Sequence, residues 1–286
     1  LVEIYLERGI KTEIVTKETI NSTGTGQDLQ DKIRNYIIQE YQDNSIEYVL
    51  LGGDVEHVPY RGFYSYVVSG GGYEDDNIPA DLYYAGLDGN WNTDSDNRWG
   101  EPGEDDLLPD LAVGRFTFSN ETGLLNMLHK TITYQNNPVL GEFNNALMAG
   151  EWLYGSPYET WGSDYLETLI GHNTENGYET WGIPESYNYQ KLYEEIQPWY
   201  ANDLITAINS GKQFVHHVGH ANSTYVAYMS NSDITNGNFA GANGVDHNYT
   251  IFQSHGCICG AFDENDCIME KMATIENFAV AVIGNS

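Results

Sequence analysis

Apolar positions recur along this chain with two periods, and the switching between them lays out an α/β order. In residues 27–41, Leu29, Ile33, Tyr36, Ile37 and Tyr41 repeat at steps of three and four, which predicts an amphipathic helix. Residues 46–51 form a short apolar run closed by Gly52-Gly53-Asp54, which predicts a buried strand. Residues 11–15 alternate polar and apolar as a strand does, and residues 1–8 read as the end of a helix stopped at Gly9. Further on, 111–113, 146–149, 214–218, 249–253 and 279–283 read as strands, and 124–134, 164–170, 199–209 and 267–273 as helices. Such alternation implies a sheet of largely parallel strands. Residues 136–142, with Pro138-Val139, read as a linker. The chain therefore divides into an N-terminal α/β subdomain, 1–140, and a second α/β unit, 141–286. One stretch breaks the pattern. Residues 73–110 are rich in Gly, Asp and Asn and too long for a plain connector, so they read as a functional or ion-bound loop.

Charge narrows the possible partners. Lys and Arg number 12 against 42 Asp and Glu, a net charge of −30, while 41% of residues are hydrophobic. The apolar content excludes a wholly disordered chain. The field argues against nucleic acid or an anionic membrane, since both select basic patches, and favours cations or basic peptides. No stretch approaches the roughly 20 apolar residues of a membrane helix, so no membrane span is expected. Both ends read as cuts inside secondary structure, which leads us to expect a trimmed product of a longer precursor. The sequons at Asn21, Asn120, Asn222 and Asn248 fit a secreted protein.

Two predicted strands of the second unit run into reactive residues, Gly219-His220 and Ser254-His255-Gly256-Cys257. Catalytic groups gather at the carboxyl ends of parallel strands, so His220 and Cys257 should face one crevice if these strands are neighbours. A thiol and an imidazole are the minimum set for covalent acyl transfer. Glu151, at the end of the strand before them, is the candidate orienter of the imidazole, or else a solvated carboxylate. Cys259 is a rival nucleophile and Cys267 completes an odd, clustered set of three, a poor disulfide framework. His216, His217 and His255 read as structural.

Five ordered segments carry a family resemblance: Arg8-Gly9 with Thr12-Glu13-Ile14-Val15; Tyr48 to Asp54 with Val58-Pro59; Ala112-Val113-Gly114-Arg115-Phe116; Val218-Gly219-His220-Ala221 with Ser223; and Gly256-Cys257-Ile258-Cys259-Gly260-Ala261-Phe262 followed by Cys267 and Glu270. Together they resemble the gingipain family of cysteine peptidases, over nearly the whole chain. The resemblance implies a caspase-like three-layer sandwich in the second unit. It implies Cys257 as nucleophile, His220 as the catalytic histidine and Glu151 as its partner. It also aligns Asp164 with an aspartate beneath the specificity pocket of arginine-specific members; the alternative for Asp164 is a helix cap. Ala221 stands where the family has glycine, at a backbone N–H expected to serve the oxyanion.

A second local pattern is independent of the resemblance. Asp88, Asn90, Asn92, Asp94, Asp96 and Glu101 place oxygen side chains at close, mostly alternate positions, as a loop wrapping calcium does. The EF-hand pattern is only partly met, since Asn97 stands where its glycine belongs. These readings lead us to expect a secreted cysteine endopeptidase, stabilised by calcium and acting on proteins or peptides after basic residues. A propeptide or companion fragment from the same precursor is the further expected partner. The rival from another class is a calcium-stabilised surface or binding module on a degenerate peptidase fold.

Overall fold

The computed structural model describes residues 1–68 and 72–286 and divides into two compact units, Leu1–Ser119 and Asn120–Ser286. The division comes earlier than residue 140 because the helix after Ser119 is tied into the second unit. The first unit opens with α1 (Val2–Glu7), α2 (Lys17–Thr23) and α3 (Leu29–Asn44), followed by β1 (Tyr48–Gly52). The Asp28 carboxylate caps α3 by accepting the Asp31 N–H at 2.8 Å. β1 pairs in parallel with β4 (Ala112–Phe116). Between them lies an antiparallel hairpin, β2 (Arg61–Val67) with β3 (Tyr73–Ala80). The stretch expected to be all loop thus begins with a strand. Residues 11–15 form no strand, because their alternating pattern finds no partner to pair with. The unit's core is aromatic. Trp91 stacks on Phe63 with centroids 4.4 Å apart, and Arg34 donates from within to the carbonyls of Tyr83, Gly86 and Gly89.

The second unit runs α4 (Glu121–Asn136), β5 (Asn145–Gly150), the hairpin β6 (Trp152–Tyr154) and β7 (Thr160–Trp161), and α5 (Gly162–Glu167). A second hairpin, β8 (His172–Glu175) with β9 (Tyr178–Trp181), leads to β10 (Asn188–Tyr193) and α6 (Ala201–Ile208). Then come β11 (Phe214–Val218), three short strands β12 (Ala221–Asn222), β13 (Tyr225–Val226) and β14 (Met229–Ser230), β15 (Thr250–Ser254), α7 (Ile268–Thr274) and β16 (Ala279–Ile283). The sheet order is β10-β5-β11-β15-β16, with every neighbouring pair parallel.

Such a sheet must be covered on both faces; β5 is a nearly continuous apolar run, while β11 and β15 also bury His216, His217, Thr250 and Ser254. On one face Leu147, Ala149, Val215 and Phe252 pack with Leu204 and Ile208 of α6 and Met269 and Met272 of α7. On the other, Met148, Val218 and Tyr193 pack with Leu166 of α5. Helix α4 joins this unit through two polar contacts to the last turn of α7. Asn126 Nδ2 donates to the Thr274 carbonyl at 2.9 Å and Lys130 Nζ to that of Met272 at 3.2 Å. Among the described residues, no helix is long and apolar enough to cross a membrane.

Candidate active site

Register in the parallel sheet decides what meets at its carboxyl edge. His217 of β11 lies beside Ala149 of β5 on one side and Ser254 of β15 on the other. Glu151, Gly219-His220 and His255-Gly256-Cys257 therefore leave the sheet at one level. The turns after β11 and β15 touch directly: a Cβ on Gly256 would stand 2.4 Å from that of Ala221, so only glycine fits there. Ala221 itself pairs with Val226 in an extended strand, a backbone that alanine adopts without strain.

The three thiols differ sharply. Cys257 is exposed, whereas Cys259 and Cys267 are buried, and none forms a disulfide. Burial pushes both buried thiols up, away from the reactive thiolate. Cys259 Sγ turns inward to the Gly256 carbonyl at 3.5 Å, and Cys267 sits at the N-cap of α7. Ile258, between Cys257 and Cys259, has φ of 41°, the left-handed geometry of a tight turn. Asn285 braces that turn: its side chain donates to the Gly256 carbonyl at 3.0 Å and its own carbonyl accepts the Gly260 N–H at 2.7 Å.

Glu151 is 2% exposed and sits beneath the His220 turn, but it does not bond the His220 ring in this structure. Its Oε2 accepts the backbone N–H of His220 at 3.0 Å, and its Oε1 meets Nε2 of His217 at 2.9 Å. His217 is fully buried, and its Nδ1 lies 2.8 Å from Ser254 Oγ. The expectation of a merely structural His217 therefore missed a direct contact with the expected orienter. The available signal was its position two residues before Gly219 on a strand alternating from face to face. Gly219 is required by this pair, since a Cβ there would stand 2.4 Å from His217 Nε2. Over the other face, His216 stacks on His255 at 5.0 Å, and burial together with its histidine neighbours pushes it down to about 4. The His220 ring is exposed and lies 6.4 Å from that of Trp152.

Asp164 is exposed in the first turn of α5, and its carboxylate accepts the Trp161 N–H at 3.0 Å. It does the work of a helix cap, and that helix begins where Gly162 N–H binds the Glu151 carbonyl at 2.7 Å.

The oxygen-rich loop of the first unit separates into two carboxylate groups. Asp94, Asp96 and Glu101 offer ligand atoms within 4.8 Å of one another, and Asp88 groups instead with Asp106 and Asp110. Asn92 Oδ1 accepts no hydrogen bond, and the amide's Nδ2 is taken by the Asp96 carbonyl at 2.9 Å. Asn90 Oδ1 takes the Asn92 N–H at 3.4 Å. Glu104, which the alternating pattern does not reach, accepts the N–H groups of Thr93 and Asp94 on Oε1, while its buried Oε2 has no partner. Crowding shows in the carboxyls: burial and then Asp96 push Glu101 up, and Asp110 and Asp106 push Asp88 up. Buried unpartnered oxygens beside close carboxylates suit a hard divalent cation.

An exposed thiol and an imidazole thus lie on adjoining turns at the carboxyl edge of a parallel sheet, on a caspase-like α/β scaffold. The chain belongs to peptidase family C25, whose sequence profile matches residues 1–286. It is 26% identical over 288 residues to an uncharacterized protein of Archaeoglobus fulgidus, covering 92% of this chain and 63% of that one. It is 24% identical over 223 residues to gingipain R2 of Porphyromonas gingivalis, covering 76% of this chain and 25% of the relative. Among solved structures it resembles the Arg-specific cysteine proteinase gingipain R, with a TM-score of 0.69 at 20% identity over 98% of this chain and 57% of that one. The complex of gingipain pro- and mature domains gives 0.67 at 20% identity, over 98% of this chain and 59% of that one. The chain thus spans less than two thirds of the length of these relatives. The expected α/β architecture, with its mostly parallel sheet, is the one found.

Proposed function

We propose that this protein is a cysteine endopeptidase in which Cys257 attacks the scissile carbonyl and His220 protonates the leaving amine, then activates the hydrolytic water. The observation that carries this is the exposed Cys257 on a turn packed against the His220 turn, with both rival thiols buried. Glu151 holds the His220 backbone from below, and the N–H groups of Cys257 and Ala221 serve the oxyanion. The net charge of −30 and Asp164 favour basic residues before the scissile bond. An inhibitory pro-segment and secretion belong to the same reading. It is tested with fluorogenic peptides bearing Arg, Lys or a neutral residue before the bond. Cleavage should vanish on alkylation of Cys257 and in Cys257→Ala, and persist in Cys259→Ala. Cleavage that survives in Cys257→Ala, or is absent from the wild type, overturns the reading, the latter in favour of a binding module.

The loop of the first unit is read as a structural calcium site formed by Asp94, Asp96, Glu101 and Glu104, with Asn92 completing it. The unpartnered oxygens of Glu104 and Asn92 support this. The expected ligands Asp88 and Asn90 fall outside this set, Asp88 standing with its own carboxylate neighbours. The ion's part would be to hold the loop by neutralising its carboxylates; it takes no part in peptide cleavage.

A further inference from the structure

We infer that His217 and Ser254 are positioning residues, linking the two catalytic turns through the floor of the sheet. The inference rests on the proposed roles of His220 and Cys257. A carboxylate can only accept hydrogen bonds, so Glu151 Oε1, 2.9 Å from the ring, places the imidazole hydrogen on Nε2. Nδ1 is then an acceptor, and it takes the Ser254 O–H at 2.8 Å. The same Ser254 oxygen accepts the Gly256 N–H at 2.9 Å. At the other end, Glu151 Oε2 accepts the His220 N–H at 3.0 Å. Donors therefore converge on Glu151 from both ends, with no donor facing another: Gly256 N–H to Ser254, Ser254 to His217, His217 to Glu151, and from the other side His220 N–H to Glu151. Its two ends are the backbone one residue before the nucleophile and the backbone of the catalytic histidine itself.

The residues of this chain are closed to solvent. Glu151 is 2% exposed, His217 0% and Ser254 3%. Water cannot replace a lost link at low cost, and each buried bond is stronger than its counterpart at a surface. None of the three side chains needs to touch substrate. They set the spacing between two turns that come from different strands, the kind of positioning in which a shift of about 1 Å far from the chemistry can lower turnover by about a hundredfold.

The test uses the full chain with Ser254→Ala, which removes a single oxygen, and His217→Gln, which keeps an amide near Glu151. It measures kcat and KM on a basic fluorogenic peptide, the rate of Cys257 alkylation by iodoacetamide, and thermal unfolding. Expected is a fall in kcat of about ten- to a hundredfold with KM little changed, and a clear change in alkylation rate. Ser254→Thr, which keeps the hydroxyl, should recover most of the kcat. The double variant should be no worse than the worse single variant, because both break one chain. If both single variants keep wild-type kcat and alkylation rate and differ only in melting temperature, the residues are merely structural and the inference fails. If His217→Gln does not fold, Ser254→Ala decides alone. If the wild type cleaves no peptide, the peptidase reading fails separately, and the alkylation rate of Cys257 in Ser254→Ala still decides: unchanged overturns the link, changed supports it.

Discussion

At the residue scale, glycine and cysteine carry the argument. Gly219 leaves no room for a side chain over the buried Glu151–His217 pair. Gly219→Ala should therefore force that pair apart, costing about 1–3 kcal/mol of stability as overpacking usually does. Peptide cleavage should fall with it; a Gly219→Ala protein with wild-type melting temperature and turnover would refute this packing argument. The placing of Cys257 and His220 on turns after two strands of the second unit was legible in the sequence, because each follows a short strand and a glycine. The choice between Cys257 and Cys259 was not legible, because it depends on which thiol the turn buries. His217 was hidden for a related reason. Sequence pattern shows that a histidine lies on a strand, but the carboxylate facing it comes from another strand far along the chain.

At the scale of elements, strands with apolar side chains were readable and strongly polar ones were not. β5 and β16 are short apolar runs, β11 and β15 keep apolar residues among their polar ones, and all four lie where their sequences place them. β3, by contrast, carries Glu74, Asp75, Asp76 and Asn77, mostly exposed, so it shows no apolar alternation. β10 is an edge strand whose Asn188, Gln190 and Lys191 mask it in the same way. Helix α4 offers a test of buried charge. Lys130 is 1% exposed, and burial alone lowers its ammonium to about 7, against about 10.4 for an exposed lysine. Between those values the unfolded chain binds a proton that the folded chain does not, so stability should rise with pH through that window and stay at its lower level below it. Lys130→Met should remove this rise and melt higher than wild type at pH 7. Urea unfolding of both proteins from pH 6 to 10 checks it, and parallel curves would show that Lys130 keeps its proton in the folded chain as a solvated lysine does. The acidic loop gives a second test. Saturating calcium at a hundredfold excess over its dissociation constant stabilises a folded-state site by about 2.7 kcal/mol. Calcium should raise the melting temperature, and Glu104→Gln should blunt that rise; no response to calcium or chelator would remove the ion from the account.

At the scale of the whole molecule, the net charge of −30 acts at a distance. A cationic peptide should be drawn in at low ionic strength, so kcat/KM for Arg substrates should fall with added salt while that for neutral ones holds, since screening acts within about 10 Å at 0.1 M. Asp164→Asn should lower kcat/KM for Arg and Lys substrates and spare neutral ones, and equal losses on all three would leave Asp164 as a helix cap alone. The sheet has a further consequence. Its order, β10-β5-β11-β15-β16, brings together strands that are distant in the chain. Glu151, His220 and Cys257 therefore share a neighbourhood only after long stretches of backbone have closed, which is slow and unfavourable until the last pairings reward it. A newly made or denatured copy holds a thiol and an imidazole that nothing keeps side by side. On the proposed peptidase reading, competence to cut would be withheld from every immature copy, and a molecule that lost the register of its central strands would fall silent instead of turning on its neighbours.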